Sequence, residues 1–354
     1  MSDKKIKTRI AFIYSPCETL TIDYFFTISY HFFMTALKRH PEIEISYISV
    51  IDTFDVLDLK GKFDVILLFE NRIHCVPKKL INIKKSGIPV IVRVGDLHIS
   101  KIYDTGNFHD EFNVSAYFGY QHSENFYNYF PKNYDYQVVL YGLEPSLYKN
   151  LKPFSERIPN KILNSGAIGN TKFFSKIINR IRNPENALHH YKLRTKCNKL
   201  NYVDYTPTLQ HEYVGDKYPL LLEKYMASIA ATTINYTTKY FEIPAAGCLS
   251  FMEVNNLNGA EKLGFKDFEN SVFINEQNYE KKFNEFLETV NDPKWENIAK
   301  SGHEHVMKNL TNDNAVESLL LLIKKIISKN GKYSSRNSVI TFFNLFFVIL
   351  SAVS

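Results

Sequence analysis

The chain has little cysteine and no cysteine cluster. Its four cysteines, Cys17, Cys75, Cys197 and Cys248, form no CxxC pair and have no histidine at zinc spacing. That excludes a disulfide scaffold and a structural zinc module, and leaves reduced thiols of a cytosolic protein as the expectation. No run of five or more Lys/Arg occurs, and the net charge of +6 is spread over 354 residues, so no nucleic-acid partner is expected. MSDKKIKTR leads straight into a strand-like run with no signal-peptide core. No repeat of solenoid period is present. No complete G-x-G-x-x-G follows a strand. SGAIGNTKF carries Gly166 and Gly169 without a third glycine in phase, which weighs against an NAD-type oxidoreductase.

What the chain does have is apolar material for two cores. Hydrophobic residues make up 45% and charged residues 23%, and the length suits two ordinary domains. The first half alternates strand-like runs with helical patterns. Thr8–Tyr14, Ile43–Val50, Phe63–Phe69, Pro89–Val94, Val114–Tyr120 and Tyr136–Leu143 read as strands. FDVILLF and PVIVRV are apolar throughout, as parallel strands covered on both faces are. Thr21–Arg39 and Pro77–Lys85 read as helices between them. Such a series predicts a doubly wound sheet.

Residues 1–145 thus make one Rossmann-like domain, and the Pro-rich, charged segment 146–160 reads as a linker. The pattern then restarts over 161–330. Lys161–Gly166, Ser228–Asn235, CLSFMEV and Ser271–Asn275 read as strands. Thr171–Arg182, Leu220–Met226, Tyr279–Val290, Trp295–Leu310 and Ala315–Ser328 read as helices. The last three are expected to close the second domain. Residues 331–354 form a tail ending in VITFFNLFFVILSAVS. Sixteen residues of helix span about 24 Å, short of a hydrocarbon core of about 30 Å. The readings for 339–354 are a peripheral contact at the cytoplasmic face of a membrane, a buried terminal element, or a tail anchor.

The stretch TTKYFEIPAAGCLSFMEV, Thr237–Val254, is the most informative. A helix starting after Thr237 and Thr238 presents unpaired N–H groups and a positive dipole end, which suits phosphate, and Lys239 adds a full charge. Glu242 stands where a carboxylate can take ribose hydroxyls, and Gly247 suits a left-handed helix cap. A purely structural role for Glu242 and for the Ala-Ala-Gly cap is equally consistent with these residues.

K-Y-F-E-I-P-A-A-G-C-L resembles the nucleotide-binding signature of GT-B glycosyltransferases. More narrowly, it resembles the CgeB-like group with a group 1-type C-terminal domain, whose pattern is roughly (R/K)-x-F-E-x-x-A-x-G. KILNSGAIG, EKLGF, NSVFIN and WENIAKSGHEHVMKNLTNDNAVESLL fall in that group's order, covering about 161–329. VGDLHIS and YGLEPSLYK are looser landmarks in the first half. The resemblance implies two doubly wound domains facing across a cleft. It also implies a nucleotide-sugar donor as co-substrate, no cofactor, and a glycan, lipid-linked or protein acceptor. Two features depart from the pattern. Ile234 stands where an E-x7-E arrangement has its first glutamate, and TNDNAVES lacks the His-Thr pair and following Arg. A catalytically inactive donor-binding scaffold is therefore the alternative.

For glycosyl transfer the leaving diphosphate needs fixed positive charge. The candidates are Lys239, Thr237, Thr238, Gly166, Gly169 and Lys172, with Glu242 and Gly247 completing the nucleotide-sugar site. No Asp-x-Asp pair is present, so a metal-independent reaction is expected. His303 and His305, at i and i+2 of a helix, point apart and do not suggest a metal site. The base is expected from the first domain. Asp96 and His98 follow a buried strand at its carboxyl end, and an imidazole near its ordinary pKa of about 6.5 accepts protons at neutral pH. A helix-capping Asp96 and a surface His98 are the structural alternative. Glu18 and Asp23 are weaker candidates.

Overall fold

A computed structural model describes residues 7–16, 28–68, 76–95, 97, 105–170, 187–206 and 215–329. In chain order the strands are β1 (Thr8–Tyr14), β2 (Ile43–Ser49), β3 (Thr53–Asp55), β4 (Val65–Leu68), β5 (Lys79–Ile81), β6 (Val90–Arg93), β7 (Val114–Gly119), β8 (Asp135–Val138), β9 (Ile158–Ser165), β10 (Val203–Thr206), β11 (Tyr225–Ala230), β12 (Leu249–Glu253) and β13 (Val272–Ile274). They form two parallel sheets of order β2-β1-β4-β6-β7-β8 and β10-β9-β11-β12-β13, with β3 and β5 as a small parallel pair. In each large sheet the chain winds outward in both directions from a central strand, the doubly wound arrangement the sequence pattern predicts.

Both faces of each sheet are covered. Ile10, Phe12, Leu67, Ile91 and Phe118 face one apolar cluster, and Ala11, Ile13, Ile66, Leu68, Val90 and Val92 face another. In the second sheet Leu163, Ala230 and Met252 point to one core, and Ile162, Ala227, Ile229, Leu249 and Phe251 to the other. Burial of both faces is why these strands read as unbroken apolar runs.

Several local expectations change, and the strand read over Ser228–Asn235 ends at Ala230. Pro77–Lys85 is not one helix. Asn82 sits in the left-handed region (φ 60°), so Lys79–Ile81 pairs as β5 and only the turn Ile83–Ser86 is helical. Met226 belongs to β11 and not to a helix, because Tyr225–Ala230 lies buried between β9 and β12. The helix Asn312–Lys329 does not close the second domain. Its Val316, Leu319, Ile323 and Ile326 pack into the core of the first sheet beside Phe12 and Phe33. An amphipathic stripe shows that a helix has a buried face, but not which sheet receives it.

The chain therefore crosses between units twice, and the crossings are tied together. Asn312 N–H donates to the Leu143 carbonyl (2.7 Å), and Gly142 N–H donates to Asn312 Oδ1 (2.8 Å). Arg39 bonds both Glu144 and Asp313, one at each crossing. The tail 331–354 lies outside the described residues. Among those residues no helix is long and apolar enough to cross a membrane.

Candidate functional site

The site forms where β9 and β11 end. Ser165 is the last residue of β9, and Gly166 turns the chain with φ +98°, a backbone state suited to glycine. Facing this turn is the helix Lys239–Ala245, which packs against β11 and β12. Lys239 reaches back from its first turn. Its ammonium donates to Ser165 Oγ (3.2 Å) and to Tyr218 Oη (3.0 Å), and it lies 4.6 Å from the Tyr218 ring centre. Ser165 and Tyr218 are themselves 2.6 Å apart. Burial lowers the Lys239 pKa to about 8. It is thus still mostly protonated at neutral pH.

A second cation converges on the same turn. Arg194, 2% exposed, lies on the helix Lys192–Cys197. Its Nε (3.0 Å) and Nη2 both donate to the Ala167 carbonyl, and its guanidinium stacks 4.2 Å from the Tyr191 ring centre. Nη1 has no hydrogen-bond partner among the described residues. A methyl carbon built on Gly166 would stand 3.0 Å from Lys239 Cε, 3.4 Å from its Nζ and 3.7 Å from Arg194 Nη1. Both cations therefore border one spot at the carboxyl edge of the sheet.

Neither is bonded to a carboxylate among the described residues. Glu242 is the carboxylate whose field favours the charged form of Lys239. Glu242 is itself 8% exposed, and its Oε2 accepts from Thr238 Oγ1 at 2.9 Å. Burial pushes its pKa up, against the pull of Lys239. Buried cations without carboxylate partners are costly, which makes this a place that favours an incoming anion. The loops around it are tied down. Tyr240 Oη donates to the Glu253 carbonyl (2.7 Å), and Asn258 Nδ2 donates to the carbonyls of Glu253 (2.7 Å) and Thr232 (2.9 Å).

The structure brings Lys239, Thr237, Thr238, Glu242 and Gly166 together. It does not do so through capping. Thr238, the N-cap residue, makes no side-chain cap bond, because its hydroxyl is committed to Glu242. The Thr237 hydroxyl is buried without a partner among the described residues. Gly169 and Gly247 have other work. Gly169 N–H donates to Thr195 Oγ1 (2.8 Å), and a methyl there would stand 2.4 Å from Leu188 Cα. Gly247 (φ +67°) follows the far end of the helix. There Arg157 donates to the Ala246 carbonyl (2.8 Å) and leaves little room for a side chain. Lys172, Asp96 and His98 lie outside the described residues.

Sequence reasoning missed Ser165, Tyr218 and Arg194. Ser165 was within reach, as the residue before the glycine turn of a predicted strand. Tyr218 and Arg194 had no motif, since each arrives from a separate helix. His303 and His305 are occupied by the Ala245 and Leu263 carbonyls, each at 2.8 Å.

Comparison with solved structures bears on the fold. HepE from Anabaena, solved with UDP-glucose, superposes with a TM-score of 0.55 at 10% identity, over 90% of this chain and 99% of that one. The fold is that of the GT-B glycosyltransferases. Sucrose-phosphate synthase from Thermosynechococcus elongatus gives a TM-score of 0.54 at 10% identity, over 91% of this chain and 100% of that one. An alpha-glucosyltransferase, solved with UDP-glucose and DNA containing an abasic site, gives 0.55 at 11% identity, over 90% of this chain and 100% of its own. No protein-family model matches the chain, and no curated protein matches it in sequence. The CgeB-like grouping therefore rests on the quoted motifs alone.

Proposed function

We propose that this chain is a glycosyltransferase that moves a sugar from a nucleoside-diphosphate donor to an acceptor hydroxyl. The observation that carries the reading is the pair Lys239 and Arg194, bordering the Gly166 turn with no carboxylate among the described residues bonded to either. Two phosphates of a donor supply the missing negative charge. As the glycosidic bond breaks, negative charge grows on the leaving diphosphate, and fixed cations stabilise it more than they stabilise the bound donor. Such cations fill the role a divalent metal plays elsewhere, which supports a metal-independent reaction. Glu242 takes ribose hydroxyls, with Thr237 and Thr238 beside it at the start of the helix.

The acceptor enters from the first unit, with His98 and Asp96 as the base at the end of the β6 segment. A cytoplasmic chain with 339–354 lying on a membrane surface suits a glycan or lipid-linked acceptor. The similar proteins solved with UDP-glucose make a uridine donor the first to test. Ile234, in place of a first glutamate, supports the second reading, a donor-binding scaffold without turnover.

Calorimetry and thermal shift with UDP, GDP, CMP, TDP and NAD test the proposal. One nucleoside diphosphate at 100 times its Kd should add about 2.7 kcal/mol of stability. Lys239→Ala and Glu242→Ala should abolish that gain without unfolding the protein. A response to NAD alone would overturn the transferase reading. Binding without donor hydrolysis or transfer would select the scaffold.

A further inference from the structure

A second feature joins the two units and stands without the donor reading. The loop after β7 meets the loops after β11 and β12, so three carboxyl ends of strands from two sheets touch. Tyr236 Oη donates to the Tyr120 carbonyl. Asn125 Nδ2 donates to Asn235 Oδ1 (2.5 Å), and Asn235 is held in the left-handed region (φ 55°). Lys262 Nζ donates to Glu124 Oε2 at 2.8 Å.

At the centre sits His122. It is 5% exposed, and its Nε2 is buried without a partner among the described residues. Nδ1 lies 3.4 Å from Glu124 Oε2 and 3.5 Å from Lys262 Nζ. The ring lies against Gly259 of the other unit. A methyl built on Gly259 would stand 2.3 Å from His122 Cδ2 and 2.8 Å from Nε2. Only a residue without Cβ allows this approach. The two chain crossings are tied by Asn312, which suits a hinge.

We propose that the 120–125 loop and the 255–262 loop form an interdomain latch, held closed by their cross-loop bonds while the His122 ring against Gly259 is neutral and released when His122 takes a proton. The groups facing the ring set the sign. Burial and then Lys262 disfavour the imidazolium, while Glu124 and Glu261 favour it, and the net direction is downward. A histidine that binds its proton less readily when closed keeps the latch whole above its ordinary pKa of about 6.5. The latch weakens as pH falls below that value. The ratio of closed to open then drops by up to about tenfold per pH unit, until the closed state also protonates.

Small-angle scattering on the ligand-free full chain tests this without reference to any donor. At pH 8, Gly259→Ala should raise the radius of gyration, and His122→Ala/Gly259→Ala should restore the wild-type value by making room for the methyl. Gly61→Ala, at φ +79° with nothing within 4 Å, controls for the left-handed backbone alone and should leave the radius of gyration unchanged. Between pH 8 and pH 5.5 the wild type should expand, and His122→Gln should not. Melting curves check that each variant is folded. A Gly259→Ala chain as compact as wild type, a double variant that stays open, or a wild type indifferent to acid would each overturn the proposal.

Discussion

Two cationic regions of this molecule are built differently. At the chain crossings Arg39 is matched by acid. Its guanidinium reaches Glu144 at 3.1 Å and Asp313 at 2.8 Å, joining the first helix to both crossing segments. At the Gly166 turn, Lys239 and Arg194 are held by hydroxyls, a carbonyl and aromatic faces. Balanced charge at the crossings holds the fold. At the turn no carboxylate among the described residues is bonded to either cation, an electrostatic cost that a bound anion would lower.

The comparison breaks first at Arg194. Arg194→Met keeps much of the volume and removes the charge. Nucleotide affinity should fall at least about 100-fold, roughly 2.7 kcal/mol by titration calorimetry. Unfolding in urea should show the variant as stable as wild type or more so, since a buried unpaired charge is gone. The reverse pattern is expected at the crossing. Arg39→Ala strips donors from the buried Glu144 carboxylate and should lower stability by about 2 kcal/mol, discounted because Arg39 is partly exposed. Nucleotide affinity should hold.

Acidity sharpens the contrast further. Lys239 titrates at about 8. It is charged below that pH, so anion binding is at full strength there and weakens as pH rises through it. From pH 7 to pH 9 the affinity should drop roughly tenfold, about 1.4 kcal/mol, and Lys239→Arg should flatten the profile. The ligand-free protein moves the other way. Lys239 gives up its proton first when folded, so stability gains from this group between about pH 8 and its ordinary value of about 10.4. The smallest effect belongs to the exposed pairs. Lys325 and Lys329 both reach Asp135, at 2.8 and 2.6 Å. Lys329→Ala should change stability by no more than about 0.5 kcal/mol in a urea titration.

The legible parts of the fold are the ones that carry local patterns. FDVILLF and PVIVRV announced buried parallel strands, and the helices Tyr279–Glu288 and Pro293–Asn309 showed their apolar faces. Segments whose state depends on a partner strand were misjudged. Lys79–Ile81 became β5 because Thr53–Asp55 lies beside it, and Met226 joined β11 because two strands flank it. In the site, Lys239, Glu242 and Gly166 were visible, since each belongs to a short run with its own chemistry. Gly247 was visible as a left-handed helix cap, which it is, whereas Gly169 was visible as a glycine only, and its neighbours decided that it serves close packing.

The sequence by itself determined two parallel α/β units, a lysine and a carboxylate one helical turn apart, and a glycine turn after the second unit's first strand. Those features follow from spacing along the chain, where residues three apart share a helix face and a buried strand must be apolar. The tertiary structure alone decided that Arg194 and Tyr218 join Lys239, that the last helix returns to the first sheet, and that His122 meets Gly259. Each joins residues far apart in sequence. Their meeting depends on where whole elements pack, and no local pattern encodes that.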